Sequence, residues 1–418
     1  MVAPIDAVNQ RSAPQPDSRL LKTVKLGAGS QYEKELHRIA LAPLTRFRNA
    51  PETQAPTDLA VTYYQQRASP KGLLINEATF VSTEAGGYPT APGIHSEEQV
   101  AAWKKVTDAV HAKGGYIYLQ AWALGRANAG QDPKIETVAP SPIGLKDHPV
   151  PREMTIEDID KFVKAYGTAA QNAKKAGFDG VELHGANGYL VNQFLESVSN
   201  KRTDEYGGDI QGRSKFLFRV LDALIDAFGQ ERVGVRLSPW GRFQDMLEDD
   251  PYATYIPVVQ ELVKRYPKFG YVHFVEPRNW TGAPETKYPK EGIVESNDPF
   301  RAIIRGIDIS SYPTPSDYAQ TNPTFEDPSA EKPTVIISAA GHDADNVEEF
   351  VARTGDVAAV GRYFISNPDL PERIFNGYPV RKYDRSTFYS PGPIGYIDQP
   401  TWKEEQAAKG VESAAVQP

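Results

Sequence analysis

Short apolar runs alternate with stretches of helical spacing along almost the whole chain. Eight runs stand out: Arg38–Pro43, Gly72–Phe80, Gly115–Trp122, Gly180–His184, Arg232–Pro239, Gly270–Pro277, Thr334–Ala339 and Val357–Gly361. Each is rich in Val, Ile, Leu or aromatic residues, which predicts strands. Between them the period becomes that of a helix. Ser96-Glu-Glu-Gln99 has the layout of a capping box and opens a segment with Val100, Trp103, Val106 and Val110 on one face, closed by Gly114. Thr155-Ile-Glu-Asp158 opens a second, with Ile159, Phe162, Tyr166 and Ala173 at helical spacing and Gly177 as its stop. Phe216, Val220 and Leu224 mark a third, ended by Gly229, and Val347 and Phe350 mark another. Asn367-Pro368 predicts an N-cap followed by proline at the first helical position. Eight strands alternating with helices, with no composition break midway, predict one α/β domain, a (β/α)8 TIM barrel. A doubly wound open sheet would carry a glycine-rich nucleotide fingerprint after an early strand, and the chain has none.

The segment Leu21–His37 precedes the first strand and contains Gly27-Ala-Gly29, which predicts an N-terminal hairpin plugging the bottom of the barrel. Two connections are long, 124–155 and 278–333, and the second carries a Pro- and Ser-rich stretch over 310–333. Loops of that length either shape a site or are disordered. Residues 1–19, rich in Pro, Ala, Ser and Asn, predict a mobile tail, and 406–418 a second, leaving 20–405 as the single barrel. Net charge is −8 with both signs mixed along the chain, which argues against nucleic acid or an anionic membrane surface as partner. The absence of cysteine excludes disulfides, thiolate metal sites and cysteine nucleophiles, and no metal is expected. Met1–Arg19 lacks the apolar core of a secretory signal and no stretch approaches a membrane span, so a cytoplasmic location is expected.

In such a barrel chemistry sits where strands end and the following loops begin. Gly180-Val-Glu-Leu-His184-Gly-Ala-Asn187-Gly-Tyr189 carries an apolar strand into a His, an Asn and a Tyr. His184 and Asn187 each offer an N–H to one carbonyl or anionic oxygen, and Tyr189 carries a phenolic proton. Two donors beside a proton source suit chemistry that builds and then quenches an enolate-like charge; a strand end with a satisfied histidine is the plainer alternative. Side chains alternate along a strand, so Arg236 shares a face with Gly234 and Ser238, Glu182 with His184, and Gln120 with Tyr118 and Trp122. A buried Arg236 needs an anion or a ring of acceptors, either Glu182 or an electron-rich ligand ring across the mouth. Gln120 and Thr45 suit an imide-like ring edge, though either alone serves equally as polar filling. Ala339-Ala340-Gly341 and Gly361-Arg362 follow the seventh and eighth strands, where barrels commonly bind phosphate.

Together these stretches resemble the Old Yellow Enzyme family of flavin-dependent ene-reductases, the yeast and fungal type in particular, over roughly residues 21–400. The resemblance rests on Ala42-Pro-Leu-Thr-Arg46, Ala85-Gly-Gly-Tyr88-Pro-Thr-Ala-Pro-Gly93 and His184-Gly-Ala-Asn187-Gly-Tyr189-Leu-Val-Asn-Gln-Phe194. It rests also on Asn200-Lys-Arg-Thr-Asp-Glu-Tyr-Gly-Gly208, Arg236-Leu-Ser-Pro239, Gly361-Arg-Tyr-Phe-Ile-Ser-Asn-Pro-Asp-Leu370 and Tyr383-Asp-Arg-Ser-Thr-Phe-Tyr389. It implies non-covalent FMN, reduced by NAD(P)H, and an activated alkene as the small-molecule substrate, in a ping-pong reaction. Pro43, Leu44, Thr45 and Ala78 would meet the flavin, with Thr45 bonding the carbonyl near N5. Gln120 and Arg236 would bind the pyrimidine edge, Arg236 stabilising negative charge on reduced flavin, and Ala340, Gly341, Gly361 and Arg362 would hold the phosphate. His184 and Asn187 would grip the substrate carbonyl while Tyr189 protonates the α-carbon, with Tyr88, Trp122, Phe243 and Tyr389 lining the pocket. A homodimer stays open.

The chain departs from the family pattern in three places. Ala78 and Ala340 stand where glycine is frequent, 310–333 looks inserted and puts the lid over the substrate in doubt, and Ser390-Pro-Gly-Pro393 differs from the usual run. Two rival functions are weighed against ene-reduction: a (β/α)8 hydrolase using Glu77 and Glu182 as paired carboxylates, and a flavin-holding protein with little turnover.

Overall fold

A computed structural model describes residues 11–277, 291–329 and 331–415, without the side chains of 411–415. Eight strands, β1 (Ile39–Leu41), β2 (Leu73–Ile75), β3 (Tyr116–Trp122), β4 (Gly180–Gly185), β5 (Val233–Leu237), β6 (Tyr271–Val275), β7 (Val335–Ala339) and β8 (Val357–Val360), pair in parallel around a closed cylinder. β2 bonds to both β1 and β3 and so closes the ring. All eight apolar runs are therefore strands. Outside them lie α1 (Asp58–Arg67), α2 (Glu97–His111), α3 (Ile156–Lys175), α4 (Ile210–Phe228), α5 (Pro251–Arg265), α6 (Asp298–Ile304), α7 (Val347–Thr354) and α8 (Leu370–Phe375).

The helix signals act locally, as their chemistry requires. Ser96 accepts from the Gln99 N–H while the Gln99 side chain returns to the cap, and Thr155 and Asp158 form the same reciprocal pair. Gly229 ends α4 at φ 81, where only glycine is unstrained. Asn367 is a correction. It follows the short helix Arg362–Ser366 and closes it, while α8 starts later behind Asp369, with Pro371 in its first turn. The Asn367 side chain is spent on the Tyr363 and Arg381 carbonyls, bonds a local reading does not reveal.

The barrel floor is closed as expected by the antiparallel hairpin Val24–Leu26/Lys34–Leu36. Val24, Leu26 and Leu36 pack with Tyr118, Tyr271, Val335 and Ile337 in one buried cluster. A Cβ on Gly180 would fall 2.2 Å from the Tyr118 ring, and one on Gly234 2.2 Å from the Tyr271 ring, so these two glycines make room for the two tyrosines. Asp327, within the stretch 310–333, is held at this end: Arg38 and Arg19 both donate to it, and Arg38 also donates to the Gly355 carbonyl just before β8. The part of the long connection at 278–290 lies outside the described residues. The last helix, Trp402–Ala415, runs across the boundary placed at residue 405. Among the described residues no helix is long and apolar enough to cross a membrane.

Candidate active site at the open mouth of the barrel

The end of β4 carries a tightly constrained turn. Asn187 sits at φ 58 and Gly188 at φ 77, and Asn is among the few residues that accept the left-handed region readily. The Asn187 N–H donates to the Ser238 hydroxyl beyond β5 (2.8 Å), and its carbonyl accepts from Gln244 Nε2 (2.7 Å). Gly188 is required by contact as well as by φ, since a Cβ there would lie 2.8 Å from the Gln244 Cβ. The turn brings Tyr189 back over His184, ring centroids 4.9 Å apart at 71°. Trp122, from the end of β3, meets Tyr189 edge-on at 4.9 Å and stacks on Phe80 at 4.7 Å. Burial, helped by the nearby charges of Arg236 and His273, holds His184 well below its ordinary value, so the ring is neutral and keeps one N–H. Its Nδ1 is buried without a hydrogen-bond partner. Burial also pushes the Tyr189 hydroxyl upward, so it keeps its proton across the physiological range.

Beneath them the polar floor is partly spoken for. Glu182 accepts from Gln120 Nε2 (2.7 Å) and pairs with His273 Nδ1 (2.8 Å). Burial alone would raise Glu182, but His273, Arg236 and Gln120 hold it below its usual value. The Arg236–Glu182 hydrogen-bonded pair weighed from the sequence is thus replaced by His273–Glu182, because β6 offers an imidazole across the barrel that strand parity on β4 and β5 does not reveal. Arg236, in register with His184 and His273, keeps a buried Nε with no hydrogen-bond partner. The hydrolase alternative finds no support. Glu182 is engaged as described, and Glu77 accepts from the Arg46 N–H and from Asn49 against the β1 loop, both carboxyls being fully buried.

The FMN implied by the resemblance fits this donor set. Arg236, whose buried Nε has no hydrogen-bond partner, and the Gln120 amide both neighbour Glu182, with half-buried Thr45 after buried Pro43 and half-buried Leu44 at the end of β1. Ala78 is buried after β2. After β7 the backbone turns through Ala340 (φ 81) and Gly341 (φ 98), and Asn346 Nδ2 ties the Gly341 carbonyl (2.7 Å). Gly361 and Arg362 stand next to them after β8, Arg362 Nη1 lying 3.4 Å from the Tyr383 hydroxyl. Small residues with approachable N–H groups and one arginine are the means of holding a phosphate.

An aromatic rim surrounds the mouth. Tyr88 donates to the Ala127 carbonyl (2.9 Å) and tilts over Trp122 (5.9 Å). Tyr389 and Phe243 are 63% and 50% exposed, so they edge the opening without being packed into it. Sequence reasoning missed Phe47, which meets Tyr88 at 5.7 Å and Tyr389 at 5.6 Å. It missed Phe80, Ser238 and Gln244 as well, and it missed the two arginines that hold the Tyr389 loop. Arg46 and Arg48 donate to the carbonyls of Thr387, Phe388, Gly392, Ile394 and Gly395. The one available signal was two arginines flanking an aromatic residue directly after Thr45.

Comparison with known proteins agrees with this geometry. The model of the NADH:flavin oxidoreductase / NADH oxidase family matches residues 33–298. The chain is 41% identical to chanoclavine-I aldehyde reductase of Penicillium roqueforti, over 91% of this chain and 96% of that one. It is 40% identical to 12-oxophytodienoate reductase 1 of Oryza sativa subsp. japonica, over 88% and 90%. Among solved structures it superposes on morphinone reductase in complex with tetrahydroNAD with a TM-score of 0.74 at 36% identity, covering 91% of this chain and 97% of that one.

Proposed function

Because the chain belongs to the NADH:flavin oxidoreductase / NADH oxidase family, as an enzyme of the Old Yellow Enzyme type, we propose how its own residues divide the work. The activity is reduction of the C=C bond of α,β-unsaturated carbonyl compounds, with FMN as cofactor and NAD(P)H as reductant. Bound FMN supplies the hydride that NAD(P)H delivers and the alkene's β-carbon receives.

Thr45, Gln120 and Arg236 would hold the flavin ring of FMN, and Ala340, Gly341, Gly361 and Arg362 would hold its phosphate. His184, neutral through burial, gives one N–H to the substrate carbonyl, and Asn187 gives another from a turn fixed at both ends by Ser238 and Gln244. Donors placed in advance where charge develops need no reorganisation during reaction. Tyr189 keeps its proton because burial disfavours the phenolate, and it delivers that proton to the α-carbon as the enolate forms. Trp122, Tyr88, Phe47, Phe243 and Tyr389 line the approach with apolar surface, which suits substrates carrying a sizeable hydrophobic body.

The observation that carries this reading is the edge-on packing of Tyr189 against both His184 and Trp122, together with an Arg236 whose buried Nε has no hydrogen-bond partner. Tyr189→Phe should lower alkene reduction by roughly 10²-fold or more while NAD(P)H still reduces the flavin at an unchanged rate. Equal alkene turnover in the two proteins would remove Tyr189 from the role.

A further inference from the structure

Behind the catalytic turn lies a carboxyl group that the reaction does not use. Glu196 is fully buried at the end of the short helix Leu190–Leu195, and among the described residues no cation lies within ion-pairing distance of it. Three groups donate to it: Tyr255 Oη from α5 (2.8 Å) and Asn192 Nδ2 (3.1 Å) to Oε1, and the Leu247 N–H (3.0 Å) to Oε2. Asn192 in turn accepts the Gly188 N–H through Oδ1 (2.8 Å), so one carboxyl is a single residue removed from the turn between Asn187 and Tyr189. On its other oxygen it holds Leu247 at φ 147, a strained position for a branched side chain. Leu247 ends a loop in which Gln244 and Asp245 are also left-handed, at φ 62 and 54. Arg126 Nη2 grips the carbonyls of both. This loop carries Phe243 to the rim, binds the Asn187 carbonyl through Gln244 and packs on Gly188 so closely that a Cβ there would meet the Phe243 carbonyl at 3.1 Å.

We propose that Glu196 is a positioning residue that holds the Asn187–Tyr189 turn and the Phe243–Leu247 loop in register with one another, and so sets how tightly the alkene is gripped; this rests on the site assignment given above. An uncharged apolar residue of the same size would leave the Leu247 N–H without an acceptor and strip the Asn192 amide and the Tyr255 hydroxyl of one bond each, a cost in buried surroundings. Burial pushes Glu196 up to about 8, with Glu248 adding to the rise and Tyr255, Asn192 and the Leu247 N–H opposing it. The groups around it are Tyr255 on α5, Glu248 (whose Oε1 lies 3.7 Å from Arg213 of α4) and Arg126 after β3. Since all three direct contacts donate, the ionised carboxyl keeps every one of them and the protonated carboxyl must surrender one. The grip is therefore firmest above about pH 8. His184 and Tyr189 do not change charge in that range. Glu77, pushed up to about 7 by burial, accepts from the Arg46 N–H, next in sequence to Thr45, and its effect would fall on flavin reduction.

Stopped-flow measurements on the FMN-loaded full chain separate reduction by NADPH from reoxidation by 2-cyclohexenone. The parent kcat/KM for 2-cyclohexenone should rise through pH 8. Glu196→Gln should flatten that rise and lower kcat/KM roughly tenfold, with reduction by NADPH unchanged within about twofold. Hydrogen exchange on the same variant, which needs no turnover, should quicken at the Leu247 and Gly188 amides by roughly tenfold. A rise that persists, with both amides as protected as in the parent, overturns the proposal. Should Glu196→Gln fail to fold, Tyr255→Phe removes one donor to the carboxylate and should move the midpoint upward by about half a unit or more; an unmoved midpoint overturns the proposal equally. Full alkene turnover by Tyr189→Phe would sink the site assignment alone, and it would leave the Leu247 and Gly188 protection as it was.

Discussion

At the closed end of the barrel, Tyr118 and Tyr271 face each other at 5.5 Å over space left by Gly180 and Gly234, and a hairpin seals them in. At the open end, Trp122 Nε1, His184 Nδ1 and Arg236 Nε are buried without partners, and Phe47, Asn187, Gln244, Asp245, Leu247 and Ala340 all stand at positive φ. Both ends are densely built, but one uses its side chains to complete the fold and the other holds groups in reserve. Unsatisfied polar atoms and left-handed non-glycine backbone each cost on the order of 1–3 kcal/mol. The closed end carries some of both, Tyr271 Oη being buried without a partner and Lys71 standing at φ 63, but the rim loops hold more, and that concentration marks where stability is given up so that ligands can be met by groups already in place.

Substitutions at the two ends should accordingly fail in different assays. The largest effect is expected for Tyr189→Phe at the open end, where the loss of alkene reduction described above should come with denaturant unfolding close to that of the parent; a large drop in stability would erase the contrast. At the closed end, Gly234→Ala drives a methyl into the Tyr271 ring, and overpacking of this severity should cost about 3 kcal/mol or more in urea unfolding. An unchanged unfolding midpoint there would show that the floor yields more easily than its packing suggests. Ala340→Gly tests the strain at the rim. Relieving a left-handed alanine should stabilise the FMN-free protein by about 1 kcal/mol, and no gain would mean that the turn holds Ala340 without cost. The smallest effect concerns His37, below the floor, whose ring contacts Ser69 Oγ (3.1 Å) and is pushed down to about 4 by burial. Its folded value lies below the unfolded 6.5, so its contribution is whole above 6.5 and is lost as pH falls towards 4. His37→Gln should flatten the stability-against-pH curve in that window, and parallel curves would show that His37 does not sense the acid limb.

Much of this was legible because its causes are local. A strand that is buried on both faces shows itself as an apolar run, and Ser96 and Thr155 announce their helices through bonds three residues away. Legibility stops where a side chain is answered by a distant partner. Asn367 looks like a cap until Arg381 is brought to it, and Arg236 looks like the mate of Glu182 until β6 supplies His273. The stretch 310–333 reads only as an insertion of unknown placement until Arg19 and Arg38 draw Asp327 to the opposite end.

By itself, then, the order of residues determined the eight strands, about half of the outer helices, the plugging hairpin and the spacing of His184, Asn187 and Tyr189, because periodicity, caps and turns act over a few residues. Only the folded molecule decided which polar groups pair and which wait, that Phe47 joins the rim, and that Glu196 reaches both loops of the mouth. Those outcomes hang on contacts between segments some fifty or more residues apart, and closing the barrel is what brings such segments within a hydrogen bond's length.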